Sequence, residues 1–214
     1  MAQNPKEIVS SGYDLCGPAY NEARADDPRP KFALLIDVLY RGARVLDIGC
    51  GGGVPVTSTL AEHASVVGVD ISTVQAEQAR KRVPKATIIH GDIMAQRFEP
   101  SSFDGVVSFY TLFHLPREQH RELLERVAGW LSPGGHLLAT VAGSGHPGYT
   151  EDDFFGATMY WSHFESKWYE AVLRDLGFSI LHRSETGHGY RSVPGLPAEC
   201  HPVIFARLEH GKSS

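Results

Sequence analysis

The residues best suited to hold a ligand lie in one short stretch: Asp47, Gly49, Gly51 and Gly53. They end the apolar run Ala43-Arg-Val-Leu-Asp-Ile48 and precede a helical stretch from Pro55 to His63. A strand that runs into glycines before a helix leaves bare backbone and free N–H groups at its carboxyl end, where open α/β sheets bind ligands. A dinucleotide loop would need G-x-G-x-x-G or A, but Val54 (counting from Gly49) and Val56 (from Gly51) hold the last position. A phosphate-cradling loop would need Gly-Lys-Ser/Thr, and no Lys follows these glycines. An adenosyl cofactor without a pyrophosphate remains. Asp70 ends the next apolar run about 20 residues on, where a carboxylate can accept both ribose hydroxyls. Asp92 follows a third such run, two residues after His90. Cys50 reads as a small residue tolerated inside the loop, since the sequence places no base beside it.

Two histidines are candidate proton acceptors. His114 follows Thr-Leu-Phe and precedes Leu-Pro, and His163 stands beside Trp161. The chain has 11 histidines, but no HxxxH or HxH spacing suggests a metal. The three cysteines, Cys16, Cys50 and Cys200, are far apart and form no CxxC pair, which points to a reducing compartment. The net charge of −5 and the lack of a basic run argue against a nucleic-acid partner. The polar start and the absence of a long apolar stretch predict a cytoplasmic chain with no membrane partner.

The elements that must position these residues alternate between strand and helix. Strands are predicted at 43–48, 65–70, 86–90, 103–109 and 136–142, and helices at 31–40, 55–63, 72–83 and 117–131. Such alternation implies right-handed βαβ units and a parallel sheet covered on both faces. Residues 1–29 read as polar and turn-rich, and 143–161 as a glycine-rich aromatic segment. A capping box at Ser162 and Glu165 predicts a last helix from Ser162 to Gly177. Strands at 178–184 and 201–208 have no helix between them and are predicted to pair antiparallel.

Val45-Leu-Asp-Ile-Gly-Cys-Gly-Gly-Gly53 resembles the D-x-G-x-G-x-G signature of class I S-adenosylmethionine-dependent methyltransferases. Val67-Gly-Val-Asp70, Gly91-Asp92-Ile93, Ser102 to Phe109 and Leu131 to Leu137 resemble the later segments of that family, in order. The resemblance implies one domain over 1–214, a three-layer Rossmann-like sandwich. Its sheet would have seven mostly parallel strands in order 3-2-1-4-5-7-6, the last antiparallel. It implies S-adenosylmethionine as cofactor, with S-adenosylhomocysteine as product. Asp47, Gly49 and Gly51 would line the methionine part, and Tyr20, Cys50 and Gln75 are further cofactor-binding candidates. Asp70, Ile71, Asp92 and Ile93 would hold the adenosine, and Ser108, Phe109 and Tyr110 would stand beside the sulfonium. In relatives the acceptor pocket is built by the N-terminal segment and the insertion after the fifth strand. Here that nominates a lid at 1–29 and an insertion at 143–162, with Tyr13, Tyr110, Phe154, Tyr160 and Trp161 against a small apolar or aromatic acceptor. The methyl would go to O, N or C, with His163 or His114 as base and a monomer or homodimer as the working form. The rivals are a non-methylating use of the cofactor and a non-catalytic binding module.

Overall fold

A computed structural model describes residues 4–24, 32–187 and 201–209. The central sheet contains β1 (Arg44–Ile48), β2 (Ser65–Asp70), β3 (Thr87–His90), β4 (Phe103–Ser108), β5 (Leu131–Thr140), β8 (Phe178–Thr186) and β9 (His201–Leu208). Its order is β3-β2-β1-β4-β5-β9-β8. The first five strands run parallel, and β9 pairs antiparallel to both β5 and β8. This is the order implied by the family resemblance. The four inner residues of β1 are all buried, as expected for a parallel strand covered on both faces. One core layer joins β2, β4 and β5 to α5 (His120–Trp130) and α6 (Ser166–Asp175) through Val67, Phe103, Leu123, Leu137 and Tyr169. The other face is covered by α2 (Ala33–Ile36) and α3 (Val56–Leu60), with Leu35 and Leu60 fully buried. The last helix of the first half is α4 (Thr73–Arg82), capped by the Ser72 hydroxyl, which accepts the Gln75 N–H.

Five segments differ from the sequence expectation. Residues 5–24 form one long helix, α1 (Pro5–Arg24), rather than turns. Gly12, Gly17 and Pro18 weaken its intrinsic propensity, and packing overrides them. A Cβ on Gly12 would stand 2.8 Å from the Thr158 carbonyl oxygen and 2.9 Å from Met159 Cε. That glycine is what lets α1 lie directly on the strand beneath. The aromatic segment is a hairpin of β6 (His146–Phe154) and β7 (Ala157–His163), with Tyr149 opposite Trp161 and Thr150 opposite Tyr160. Helix α6 starts at Ser166 rather than Ser162, because Ser162 closes β7. Its hydroxyl donates to Pro147 and accepts the Arg117 N–H, so it caps nothing. The helix expected over 31–40 is a single turn, with Val38 and Tyr40 exposed beyond it. Pro133-Gly134-Gly135, which falls between the predicted helix and the predicted fifth strand, is an irregularity within β5, where its pairing with β4 jumps. Cys200 and most of the 185–200 linker lie outside the described residues.

Candidate functional site

At the carboxyl end of β1 the chain turns through Gly49, Gly51 and Gly53, all at positive φ. The Gly49 and Cys50 N–H groups both donate to the Val69 carbonyl, which pins the turn to β2. Asp47, at 2% exposure, accepts the Thr57 hydroxyl at 2.6 Å and so ties β1 to α3. Asp70 ends β2 with one oxygen accepting the Gly51 N–H at 2.8 Å and the other the Ser72 N–H at 2.9 Å. Each carboxylate oxygen has a second lone pair for a ligand. Asp92 caps a short 3-10 turn (Ile93–Ala95) through the Met94 N–H, and its other oxygen meets Lys6 Nζ. Gln75 is fully buried; its amide oxygen accepts from Asn21, and its Nε2 has no hydrogen-bond partner among the described residues.

Beyond β4 the backbone is strained. Tyr110 is buried at φ 57°, a conformation that costs a non-glycine residue about 1–3 kcal/mol. Its N–H donates to the Thr140 hydroxyl and its own hydroxyl donates to the Gly187 carbonyl. Thr111 donates to the Ile48 and Phe109 carbonyls, fastening the glycine loop to this turn. A 3-10 turn (Leu112–His114) then delivers His114. Its Nδ1 lies 2.9 Å from the Tyr160 carbonyl oxygen. A carbonyl only accepts, so Nδ1 carries the proton and Nε2 is a lone-pair acceptor. The Tyr13 hydroxyl donates to that Nε2 at 2.8 Å. Burial pushes the His114 pKa down to about 4, against the Tyr160 bond that raises it, so the ring is neutral at physiological pH.

These residues border one open cavity of about 990 Å³ including its mouth. Of the sequence-nominated residues it is lined by Tyr13, Tyr20, Asp47, Gly49, Cys50 and Gly51. Asp70, Ile71, Gln75, Asp92, Ile93, Phe109, Tyr110 and His114 complete that set. Ser108, Phe154, Tyr160, Trp161 and His163 do not line it. Phe154 and Trp161 pack behind Tyr13 and His114, with the Trp161 ring 4.4 Å from His114 and the Phe154 ring 6.3 Å from Tyr13. His163 lies at the far end of β7, its Nδ1 2.6 Å from the Ser144 carbonyl oxygen. The residues that sequence reasoning missed are Lys6, Asn21, Thr57, Thr111 and Asp14, which accepts from the Ser72 hydroxyl and the Val74 N–H. Three of them lie on α1, whose periodic polar face was the available signal.

Desolvation raises the Asp70 pKa to about 6, partly offset by the Ser72 and Gly51 N–H bonds. Between the ordinary carboxylate value of 3.8 and about 6, the folded state therefore binds more protons than the unfolded state. Through Asp70 alone, stability declines as pH rises through that window. A ligand hydroxyl donating to this carboxylate responds oppositely. S-adenosylhomocysteine affinity is expected to hold above pH 7 and fall as pH drops below about 6. Calorimetry between pH 5 and 8 checks this; affinity flat down to pH 5 would contradict it.

Residues 45–135 match the family described as Methyltransferase domain. The chain is 36% identical over 106 residues to a 27-O-demethylrifamycin SV methyltransferase of Amycolatopsis mediterranei, covering 46% of this chain and 38% of that protein. It is 36% identical over 101 residues to a 24-methylenesterol C-methyltransferase of Oryza sativa, covering 44% of this chain and 27% of that one. The chain thus spans less than half the length of either relative. A solved 1,6-didemethyltoxoflavin-N1-methyltransferase of Burkholderia thailandensis, with bound S-adenosylhomocysteine, shares the fold at a TM-score of 0.71 and 21% identity. That likeness covers 98% of this chain and 92% of the other. Over residues 45–135 the chain is thus similar to methyltransferase domains, and its fold is shared with a solved methyltransferase of the S-adenosylmethionine-dependent class. The glycine loop, the strand-end acids and the sheet order are the features that carry the likeness.

The residues present fit the cofactor of that class. The turn offers bare backbone, Asp70 keeps acceptor capacity beside it, and the buried Gln75 Nε2 has a donor to spare. Among the described residues no helix is long and apolar enough to cross a membrane, and no cluster of metal-ligating side chains is found.

Proposed function

We propose that the protein transfers a methyl group from S-adenosylmethionine to a small, uncharged, apolar or aromatic acceptor. One observation carries the reading: a single cavity runs from the glycine loop and Asp70 to Tyr13, Tyr110 and His114. The cofactor, when bound, would supply a sulfonium methyl whose carbon an electron pair of the acceptor attacks in line, the S–CH3 bond breaking to leave S-adenosylhomocysteine. Asp70 and Asp92 orient the adenosine, and the backbone at Gly49 and Gly51 receives the amino-acid end. The Tyr110 turn, fastened by Thr140 and Thr111, fixes the wall beside the reacting atoms. Where the acceptor carries a proton, it passes to the Tyr13 hydroxyl as that hydroxyl gives its own to His114 Nε2, since Nδ1 is committed to Tyr160. His163 has no place in this scheme, since it does not line the cavity. The hairpin acts here through its backbone, holding His114, and its aromatic side chains support the wall from behind. In this proposal the domain is one unit, working in the cytoplasm as a monomer or homodimer, with no nucleic-acid partner. The names of the relatives span O, C and N acceptors, so the acceptor atom is open to assay.

A panel of phenols, amines and carboxylates, read by S-adenosylhomocysteine release, tests the reading. Turnover is expected with at least one uncharged aromatic acceptor. With a hydroxyl acceptor, His114→Gln is expected to lower kcat by about 100-fold while leaving S-adenosylhomocysteine affinity within about twofold. A wild-type rate in His114→Gln would remove the base assignment. Absence of release across the panel by a chain that binds the cofactor would count against methyl transfer to small molecules.

A further inference from the structure

One face of α1 is polar. Lys6, Ser10, Asp14 and Asn21 share a single helical stripe and all meet residues at the ends of β2 and β3 or the start of α4. Lys6 Nζ pairs with Asp92 Oδ2 at 2.5 Å, and the Ser10 hydroxyl donates to the Ile71 carbonyl at 3.1 Å. Asp14 accepts from Ser72 and Val74, and the Asn21 amide donates to Gln75 and Gln78. The neighbouring apolar stripe, Val9, Cys16 and Tyr20, packs with Phe154, Ala157 and Met159 of the hairpin. Helix α1 therefore connects the adenosine side of the cavity to the acceptor side, and it carries Tyr13 between them.

Lys6 is the member of the stripe whose chemistry goes beyond packing. Both side chains of its ion pair are 26% exposed, and pairs that wet contribute little stability by themselves. Both groups nevertheless line the cavity. An ammonium has three N–H donors, and Asp92 takes one. The pair thus presents an acceptor and a donor side by side at the end of β3. The edge of adenine is its complement, an amino donor next to a ring-nitrogen acceptor.

We propose that Lys6 is a cofactor-positioning residue which, together with Asp92, reads the adenine edge from α1. The inference rests on the S-adenosylmethionine reading above.

Calorimetry with S-adenosylhomocysteine and with adenosine, on wild type, Lys6→Met, Lys6→Arg and Asp92→Asn, tests the proposal. If wild type bound no S-adenosylhomocysteine, the cofactor reading itself would fall. Given wild-type binding, Lys6→Met is expected to weaken both ligands by about 5- to 20-fold, the loss of one charge-assisted hydrogen bond. Lys6→Arg should retain most of the affinity, and Lys6→Met should add little in an Asp92→Asn background, because the pair acts as a unit. Hydrogen exchange gives a second readout: S-adenosylhomocysteine should slow exchange across α1 in wild type and less so in Lys6→Met. Equal or tighter binding by Lys6→Met with the wild-type exchange pattern would overturn the proposal and leave a surface ion pair. A loss confined to S-adenosylhomocysteine, with adenosine unaffected, would overturn it too, by placing Lys6 on the amino-acid end.

Discussion

Asp70→Ala is expected to weaken S-adenosylhomocysteine binding by at least about tenfold, read as Kd by calorimetry. Two losses combine in this substitution. The proposed acceptor for the ribose hydroxyls disappears, and the Gly51 and Ser72 N–H groups lose the carboxylate that ties the glycine loop to the end of β2. Asp70→Asn separates the two. It keeps the shape but turns an NH₂ group towards one of those N–H donors, so the loop is disturbed while one oxygen survives. Its affinity should fall between wild type and Asp70→Ala. Unchanged affinity in Asp70→Ala would contradict the ribose assignment. The raised pKa of Asp70 belongs to the same argument: a carboxylate kept dry for a ligand lowers the stability of the ligand-free fold.

Gly49→Ala is expected to cost about 3 kcal/mol of folding stability and to remove cofactor binding at accessible concentrations. Gly49 sits at φ 71°, where a Cβ is strained. That Cβ would also stand 2.0 Å from Thr111 Oγ1 and 2.8 Å from its Cβ. Thr111 cannot swing away cheaply, because its hydroxyl donates to the Ile48 and Phe109 carbonyls. The strain therefore passes straight into the turn that carries Tyr110 and His114. Gly129→Ala is the control. Gly129 lies inside α5, a Cβ there meets nothing within 4 Å, and the change should be neutral or slightly stabilising. Denaturant unfolding of both variants checks the pair. A loss below about 1 kcal/mol in Gly49→Ala would show that the turn relaxes more easily than its contacts imply.

The cofactor half of the site was legible because its signals are local. A β-strand that ends in Asp47-Ile-Gly-Cys-Gly-Gly-Gly53, and a second strand that ends in Asp70, announce themselves within a few residues. The sheet order followed from the resemblance, and the antiparallel last pair from the missing helix between 184 and 201. The part of the site built on α1 was not legible, because its contacts are long-range. Nothing near Tyr13 in sequence shows that its hydroxyl meets His114, 101 residues away. Nothing near Lys6 points to Asp92, 86 residues on. Helix α1 was hidden by glycine and proline that tertiary packing outweighs. The hairpin aromatics were nominated for the cavity through the family resemblance, whereas Phe154 packs with Val9, Cys16 and Tyr20 of α1. Ser162 carried a helix-start pattern yet ends a strand, since its hydroxyl is already satisfied by Pro147 and Arg117.

Titration of the wild-type chain with S-adenosylhomocysteine, alongside Asp70→Ala, tests the central claim most directly. The cavity at the glycine loop predicts saturable binding at one site per chain, weakened by at least about tenfold in the variant. No binding by the wild type, or equal binding by both, would contradict it.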